Sequence, residues 1–139
     1  MPDVNFWAVL VATASTLVIG SLWYAKRAFG TYWMRVARVD EAAAAARGVW
    51  PIVVTVVVSF ITAWVLAGAI TIAHAYYDGT FVVDALVTGV LLWAGFTGAR
   101  IVTHDSFEGR PTGLTALTLG HELVTVFVMS LIIGLFGAP

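Results

Sequence analysis

Two adjacent ionisable residues, His121 and Glu122, lie in the middle of the last long apolar stretch of the chain. Counted from Thr112, Glu122 is about 15 Å along a helix, which is close to the centre of a bilayer if this stretch crosses one. Ionisable groups at that depth are costly, which makes Glu122 a candidate for binding a proton or a small cation on a transport path. The alternative is a neutral carboxyl that hydrogen-bonds Thr or Ser between helices.

Helical spacing predicts which groups surround this pair. Thr115, Thr118 and Thr125 recur on the same helical stripe as Glu122, so a path beside the carboxyl would be lined by their hydroxyls. His121 points about 100° away from Glu122, so we expect the two side chains to have different partners. Thr125 also occupies the position of the second histidine in the zinc peptidase motif, which excludes that motif.

Two further groups of ionisable residues lie near span ends. Arg100 and His104 are one helical turn apart, and a direct Arg100–Glu122 pair is not favoured because the axial offset is roughly 9 Å. Arg100 is explained as an interface arginine, whose long side chain carries its charge to the membrane surface. The alternative is a cytoplasmic gate or a site that contacts an anion.

His74 and Asp84 become nearly level when the chain folds back at Asp78, which predicts a hydrogen bond at the outer mouth. Asp84 also lies in the first turn of its helix, where the helix dipole explains it without any function. The His, Asp and Glu residues are too few and too scattered to indicate a metal site, and no cofactor is predicted.

The elements that position these residues are apolar helices. The chain is 60% apolar and 11% charged, whereas soluble domains average about 25% charged residues. Four stretches are long enough to cross a bilayer, which takes roughly 20 residues. They cover residues 5–25, 51–75, 82–102 and 112–136. The sequence therefore predicts an all-α polytopic membrane protein, a single domain over residues 1–139 with four transmembrane helices in an up-down bundle.

Charge predicts the orientation. Five of the seven basic residues lie in the segment 26–49, the other two flank the link between spans three and four, and the opposite end has none. Because positive loops stay cytoplasmic, both termini should lie outside, with the protein in the inner (plasma) membrane of a prokaryote. The segment 26–49 should contain a short amphipathic helix on the cytoplasmic surface, or one that docks a partner. With eight acidic residues against seven basic ones, no basic face is available for nucleic acid.

Small residues at four-residue spacing predict close helix packing, within the chain or between chains. They are Ala8, Ala12, Thr16 and Gly20 in span one, and Ala85, Gly89, Gly95 and Ala99 in span three. A pore along the axis of four helices would be narrow, so a transport function favours a homo-oligomer, a dimer or higher.

The N-terminal third resembles the domain of unknown function 1761 family of small bacterial and archaeal membrane proteins. The resemblance is carried by Asn5, Ala8-Val9-Leu10, the run Gly20-Ser21-Leu22-Trp23-Tyr24, Phe29-Gly30 and Trp33, with Trp93-x-Gly95-Phe96 matching the layout further on. It implies a four-helix membrane fold and no established activity or catalytic residue.

Two functions remain open from the sequence. The first is an oligomeric ion or proton channel or small transporter with Glu122 as its central group, and with His121, Arg100 and His104 nearby. The second is a non-transporting scaffold or accessory subunit, in contact with lipid, that docks a partner through its cytoplasmic segment. A membrane enzyme is disfavoured, because no nucleophile–base pair or phosphate loop is visible in the sequence.

Overall fold

The computed structural model describes residues 2–77 and 79–139. That part of the chain forms helices joined by short links, and the predicted turn at Asp78 lies partly outside it. The elements are α1 (Phe6–Trp23), α2 (Gly30–Val36), α3 (Glu41–Ala46), α4 (Trp50–Tyr77), α5 (Phe81–Leu92), a π-helical segment (Trp93–Gly98), α6 (Ala99–Glu108) and α7 (Thr112–Phe136).

Four helices of the described chain are long and apolar enough to cross a membrane, which confirms the predicted fold class. They are α1, α4, the continuous run from α5 through α6, and α7. The third span is longer than the predicted 82–102, because it continues to Glu108. Hydropathy falls at His104 while helical hydrogen bonding persists, until Gly109 adopts a left-handed conformation at φ 66° and ends the helix.

The four spans form a ring in which α1 and α5 each pack against α4 and α7. Small residues permit the close approach: Ala8, Ala12 and Thr16 of the predicted ridge in α1 are buried. In the third span only half of the predicted ridge is packed against another helix. Ala85 and Gly89 are buried, whereas Gly95, in the π-helical segment, and Ala99, just after it, are exposed. A π-helical turn contains more residues than an α-helical one, and this shifts the residues that follow it to another face.

The segment 26–49 folds as two short helices rather than one. Asp40 begins α3, because its carboxylate accepts hydrogen bonds from the backbone N–H groups of Ala42 (2.9 Å) and Ala43 (3.3 Å). All of α3 is exposed, whereas α2 rests on α7, where the Tyr32 hydroxyl packs over Gly113. We call this end of the bundle, with α2, α3 and the α6–α7 link, the basic end.

Candidate functional site

A cavity of about 430 Å³ lies between α1, α4 and α7, in the half of the bundle nearer the basic end. We call it the Glu122 cavity. Helix α1 contributes a face with four-residue spacing, α4 contributes hydroxyl and valine side chains, and α7 contributes the ionisable pair. The lining residues are Thr16, Gly20, Tyr24, Val54, Thr55, Val58, Ser59, Thr62, His121, Glu122, Thr125, Val126 and Met129.

The ionisable pair is in mutual contact inside this cavity. His121 Nδ1 lies 3.4 Å from Glu122 Oε1, and the side chains are 16% and 37% exposed, respectively. The expectation that adjacent residues must have different partners is therefore wrong. It considered only the Cβ directions, which differ by about 100°, whereas the three side-chain torsions of glutamate let the carboxylate bend back toward the imidazole.

Aromatic rings hold His121 in place from the side of α1. Its ring centroid is 5.1 Å from that of Tyr24 and 5.9 Å from that of Trp23. Tyr24, which follows the last residue of α1, also contacts Trp33 at 5.3 Å. Burial raises the pKa of the Tyr24 phenol and the nearby Glu122 raises it further, so this hydroxyl remains protonated.

The hydroxyl groups of the lining present mainly oxygen acceptors to the cavity. Thr55 donates to the Pro51 carbonyl (2.8 Å) and Thr62 donates to the Val58 carbonyl (3.0 Å). Thr16 donates to the carbonyl oxygen one turn back (2.8 Å) and hydrogen-bonds Ser59 of α4 (3.0 Å). Since these protons are already used within the protein, the remaining lone pairs can accept hydrogen bonds from a ligand.

Buried polar atoms without a partner cluster at the same level. Among the residues that the structure describes, His121 Nε2 and Thr125 Oγ1 make no hydrogen bond. His121 Nε2 lies above Gly20, where an added Cβ would be 3.8 Å away. Buried polar groups are usually paired, so atoms of this kind indicate a place where a ligand or water is accommodated.

The predicted threonine row does not line the cavity as a unit. Thr125 faces the cavity, but Thr118 donates to the Leu114 carbonyl of its own helix (3.0 Å). Thr115 donates to the Asp105 carboxylate (2.6 Å) at the basic end. The row shares one stripe of α7, but the neighbouring helices cover that stripe differently along its length.

Arg100 and His104 are both exposed on the surface of the third span. Within residues 2–77 and 79–139, neither makes an ion pair with Glu122, as expected from the axial offset. The arginine at this end that does pair is Arg110, with Nη1 3.8 Å from Asp105 and Nε 3.2 Å from Glu108. Arg100 and His104 therefore lie apart from the Glu122 cavity.

The hydrogen bond predicted between His74 and Asp84 is present, with His74 Nδ1 2.7 Å from Asp84 Oδ2. Asp84 is buried, and the His74 ring meets the edge of Phe81 at 5.0 Å between centroids. The pair joins α4 to α5 at the end opposite the basic end. It lies well away from the Glu122 cavity, and its role at an outer mouth stays a prediction.

Sequence analysis missed two parts of the site region. The α4 wall was detectable, because Thr55, Ser59 and Thr62 recur at four- and three-residue spacing along one helical face. The buried Asp105, which ties α6 to the start of α7, carried no periodic signal. It is five residues from Arg110, and only the left-handed turn at Gly109 brings the two together.

A second cavity, of about 410 Å³, lies between α4, the π-helical segment and α7. It shares Thr62 and Val126 with the Glu122 cavity, so these two side chains separate the two spaces. Trp93 borders it, and in the described chain the indole Nε1 of Trp93 is buried without a hydrogen-bond partner. The second cavity contains no ionisable side chain among its lining residues.

These features define a four-helix membrane protein with an ionisable pair in a cavity between three of its spans. The sequence model described as "Protein of unknown function (DUF1761)" matches residues 7–134, so the chain belongs to that family. The resemblance seen in the first third of the sequence is thereby confirmed. No curated protein and no solved structure matches the chain.

Proposed function

We propose that this protein is a small membrane transporter or channel for protons or small cations, in which Glu122 holds the transported charge. The observation that carries the proposal is the contact between His121 and Glu122 inside a cavity of about 430 Å³ within the membrane-spanning bundle. An ionisable pair at this depth is costly to maintain, and it is typical of ion and proton paths.

The composition of the cavity wall supports a positive cargo. Glu122 is the only carboxylate among the lining residues, and no lysine or arginine accompanies it. The hydroxyls of Thr55 and Thr62 offer lone pairs, because their protons bind backbone carbonyls. An anion would meet a like charge and few donors, whereas a proton or cation would be attracted to the carboxylate.

The cavity is closed toward the other end of the bundle by the apolar core. Ile70, Met129 and Ile133 are almost completely buried there, next to Val9 and Ala12. Transport therefore requires either a rearrangement of the helices or a path shared between chains, and we propose a homo-oligomer, a dimer or higher. The exposed Gly95 and Ala99 favour this, since small residues on a lipid-facing helix permit close packing with another helix.

We further propose that the basic end faces the cytoplasm. The distribution of lysine and arginine favours this orientation, which leaves both termini on the outer side of the inner membrane. The Glu122 cavity would then lie in the cytoplasmic half of the bilayer. A cargo would reach it from inside the cell.

Proton flux into proteoliposomes tests the function. We expect Glu122→Gln to reduce the proton flux at least about tenfold, since a glutamine amide cannot bind and release a proton as a carboxyl group does. Glu41→Gln is the matched control, because it makes the same chemical change on the exposed α3 and should leave flux unchanged. Equal flux from wild type and from correctly assembled Glu122→Gln protein would refute the role of Glu122.

A scaffold function is the second candidate, and one observation favours it. The α2–α7 groove is a space of about 630 Å³ at the basic end, lined mainly by aromatic and small residues. Its lining residues are Trp23, Phe29, Tyr32, Gly113, Ala116, Leu117 and Gly120. Absence of proton and potassium flux from wild-type protein at several pH values, with a partner retained through gentle extraction, would support the scaffold.

A further inference from the structure

We propose that the Glu122 cavity takes a small organic monocation, an amine or quaternary ammonium ion with apolar substituents, and that this cation competes with a proton for Glu122. The inference rests on the proposed transport function and names the class of its cargo. It depends on the size of the cavity, on the chemistry of its lining residues and on the aromatic ring of Tyr24.

The volume is far larger than a proton site needs. A water molecule takes about 30 Å³ of liquid, so about 430 Å³ corresponds to many waters rather than to one relay position. Sites for small organic ligands have volumes of roughly 300–1,000 Å³ and walls that are mostly apolar with a few polar groups. The Glu122 cavity is within that range and has that type of wall.

The lining suits an organic cation better than a bare metal ion. Dehydrated hard cations require roughly six to eight oxygen ligands around one point. Here the hydroxyl oxygens are spread along three helices and are interrupted by Val54, Val58, Val126 and Met129. An ion with apolar substituents would bury those substituents against these side chains while its charge meets Glu122.

Aromatic side chains strengthen the preference for an organic cation. The Tyr24 ring lines the cavity beside Glu122 and is held by contacts with His121 (5.1 Å) and Trp33 (5.3 Å). The face of an aromatic ring attracts a nearby cation, and recognition of ammonium ions is a frequent use of such rings. Since the ring is already fixed, little conformational freedom is lost on binding.

Competition with protons follows from the number of charges in the cavity. Around Glu122, α1 presents the ionisable Tyr24, α7 presents His121, and the α4 lining presents only valine, serine and threonine. Glu122 is the one carboxyl group among the lining residues, and the Tyr24 hydroxyl remains protonated. One carboxylate can be neutralised by a proton or by a bound cation, but not by both at once.

Calorimetric titration of the full-length chain in detergent tests the inference, with benzyltrimethylammonium as the probe. We expect saturable binding of the probe. Its affinity should fall by up to about tenfold for each unit by which the pH is lowered, once protons compete for the Glu122 carboxyl. Glu122→Gln should reduce the affinity at least about tenfold. If Glu122→Gln protein does not fold, Glu122→Asp should bind with the pH dependence retained. Neopentylbenzene, which has the same shape as the probe but no charge, should not displace the probe from the cavity.

Substitutions at Tyr24 separate the ring from the hydroxyl. Tyr24→Phe keeps the ring and should bind the probe nearly as well as wild type, whereas Tyr24→Leu should bind roughly five- to thirtyfold more weakly, the equivalent of about 1–2 kcal/mol. Equal affinity in these two variants, or equal binding of neopentylbenzene, would overturn the inference.

The flux assay distinguishes the two levels of the proposal. Proton flux that depends on Glu122, without probe binding at any pH, would overturn the organic cargo and leave the transport function standing. Probe binding that depends on Glu122, without proton or probe flux in proteoliposomes, would support the binding site and overturn the transport function.

Discussion

The close contact between α5 and α7 depends in part on the absence of a side chain at Gly89. At Gly89, an added Cβ would overlap the Ser130 hydroxyl and come within 3.0 Å of Ser130 Cβ and 3.5 Å of Val126 Cγ1. Gly89→Ala should therefore force these two helices apart. Overpacking of this kind costs about 1–3 kcal/mol, and the better helix propensity of alanine returns up to about 1 kcal/mol. We expect a net loss of roughly 1–2 kcal/mol of unfolding free energy.

A double-mutant cycle identifies the cause of that loss. Ser130 is fully buried, and in the described part of the chain its hydroxyl has no hydrogen-bond partner, so Ser130→Ala alone should be nearly neutral. Since Ser130→Ala removes the atom that the new Cβ would strike, Gly89→Ala should cost at least about 1 kcal/mol less in that background. Gly98→Ala in the same span is the control, because an added Cβ there would make ordinary van der Waals contact with Trp93 at 3.5 Å.

Equilibrium unfolding in mixed detergent micelles measures each free energy, with the two-state assumption checked by a second probe. The expected pattern is destabilisation by Gly89→Ala, little or no loss in Gly98→Ala, and a smaller cost of Gly89→Ala when position 130 is alanine. If Gly89→Ala were equally costly with serine or alanine at position 130, the close approach of α5 and α7 would not be the reason for glycine there.

Two further predictions concern the other end of the bundle and its orientation. Asp84→Ala should lower the unfolding free energy by about 1–3 kcal/mol, since it leaves His74 without its hydrogen-bond partner. The loss should be smaller in a His74→Phe background. Unchanged stability of Asp84→Ala would argue against the hydrogen bond. Because the chain has no cysteine, Ala44→Cys and Ala138→Cys provide unique labels. A membrane-impermeant maleimide added to intact spheroplasts should modify Ala138→Cys and spare Ala44→Cys, and the reverse result would invert the proposed orientation.

The helices were predictable from the sequence because a membrane span is defined by one-dimensional properties, its length and its apolar composition. The His74–Asp84 contact was predictable for a related reason. A short link fixes the register of the two helices that it joins, so residues at equal distances from the turn are brought level. Both predictions depend on distance along the chain and not on the rotation of any helix.

The cavity depended on information that spacing does not contain. Thr55 and Ser59 face Glu122 only because of how α4 is rotated against α1, and that rotation is set by tertiary packing, including the contact between Thr16 and Ser59. The His121–Glu122 contact depends on side-chain torsions, and the π-helical segment at Trp93–Gly98 on a local change of hydrogen bonding. Neither has a periodic signature in the sequence.

Access to Glu122 is most easily changed at α4. Toward the opposite end, the fully buried Ile70 and Met129 belong to a continuous apolar core, and opening that core would expose several helices at once. Sideways, Thr62 and Val126 line both the Glu122 cavity and the second cavity beside Trp93. Helices α4 and α7 lie diagonally across the ring and touch little, so a displacement of α4 would act on its contacts with α1 and α5 and leave the α1–α7 and α5–α7 contacts in place. If the proposed transport function holds, a small shift of packed helices of this kind would be the route to alternating access.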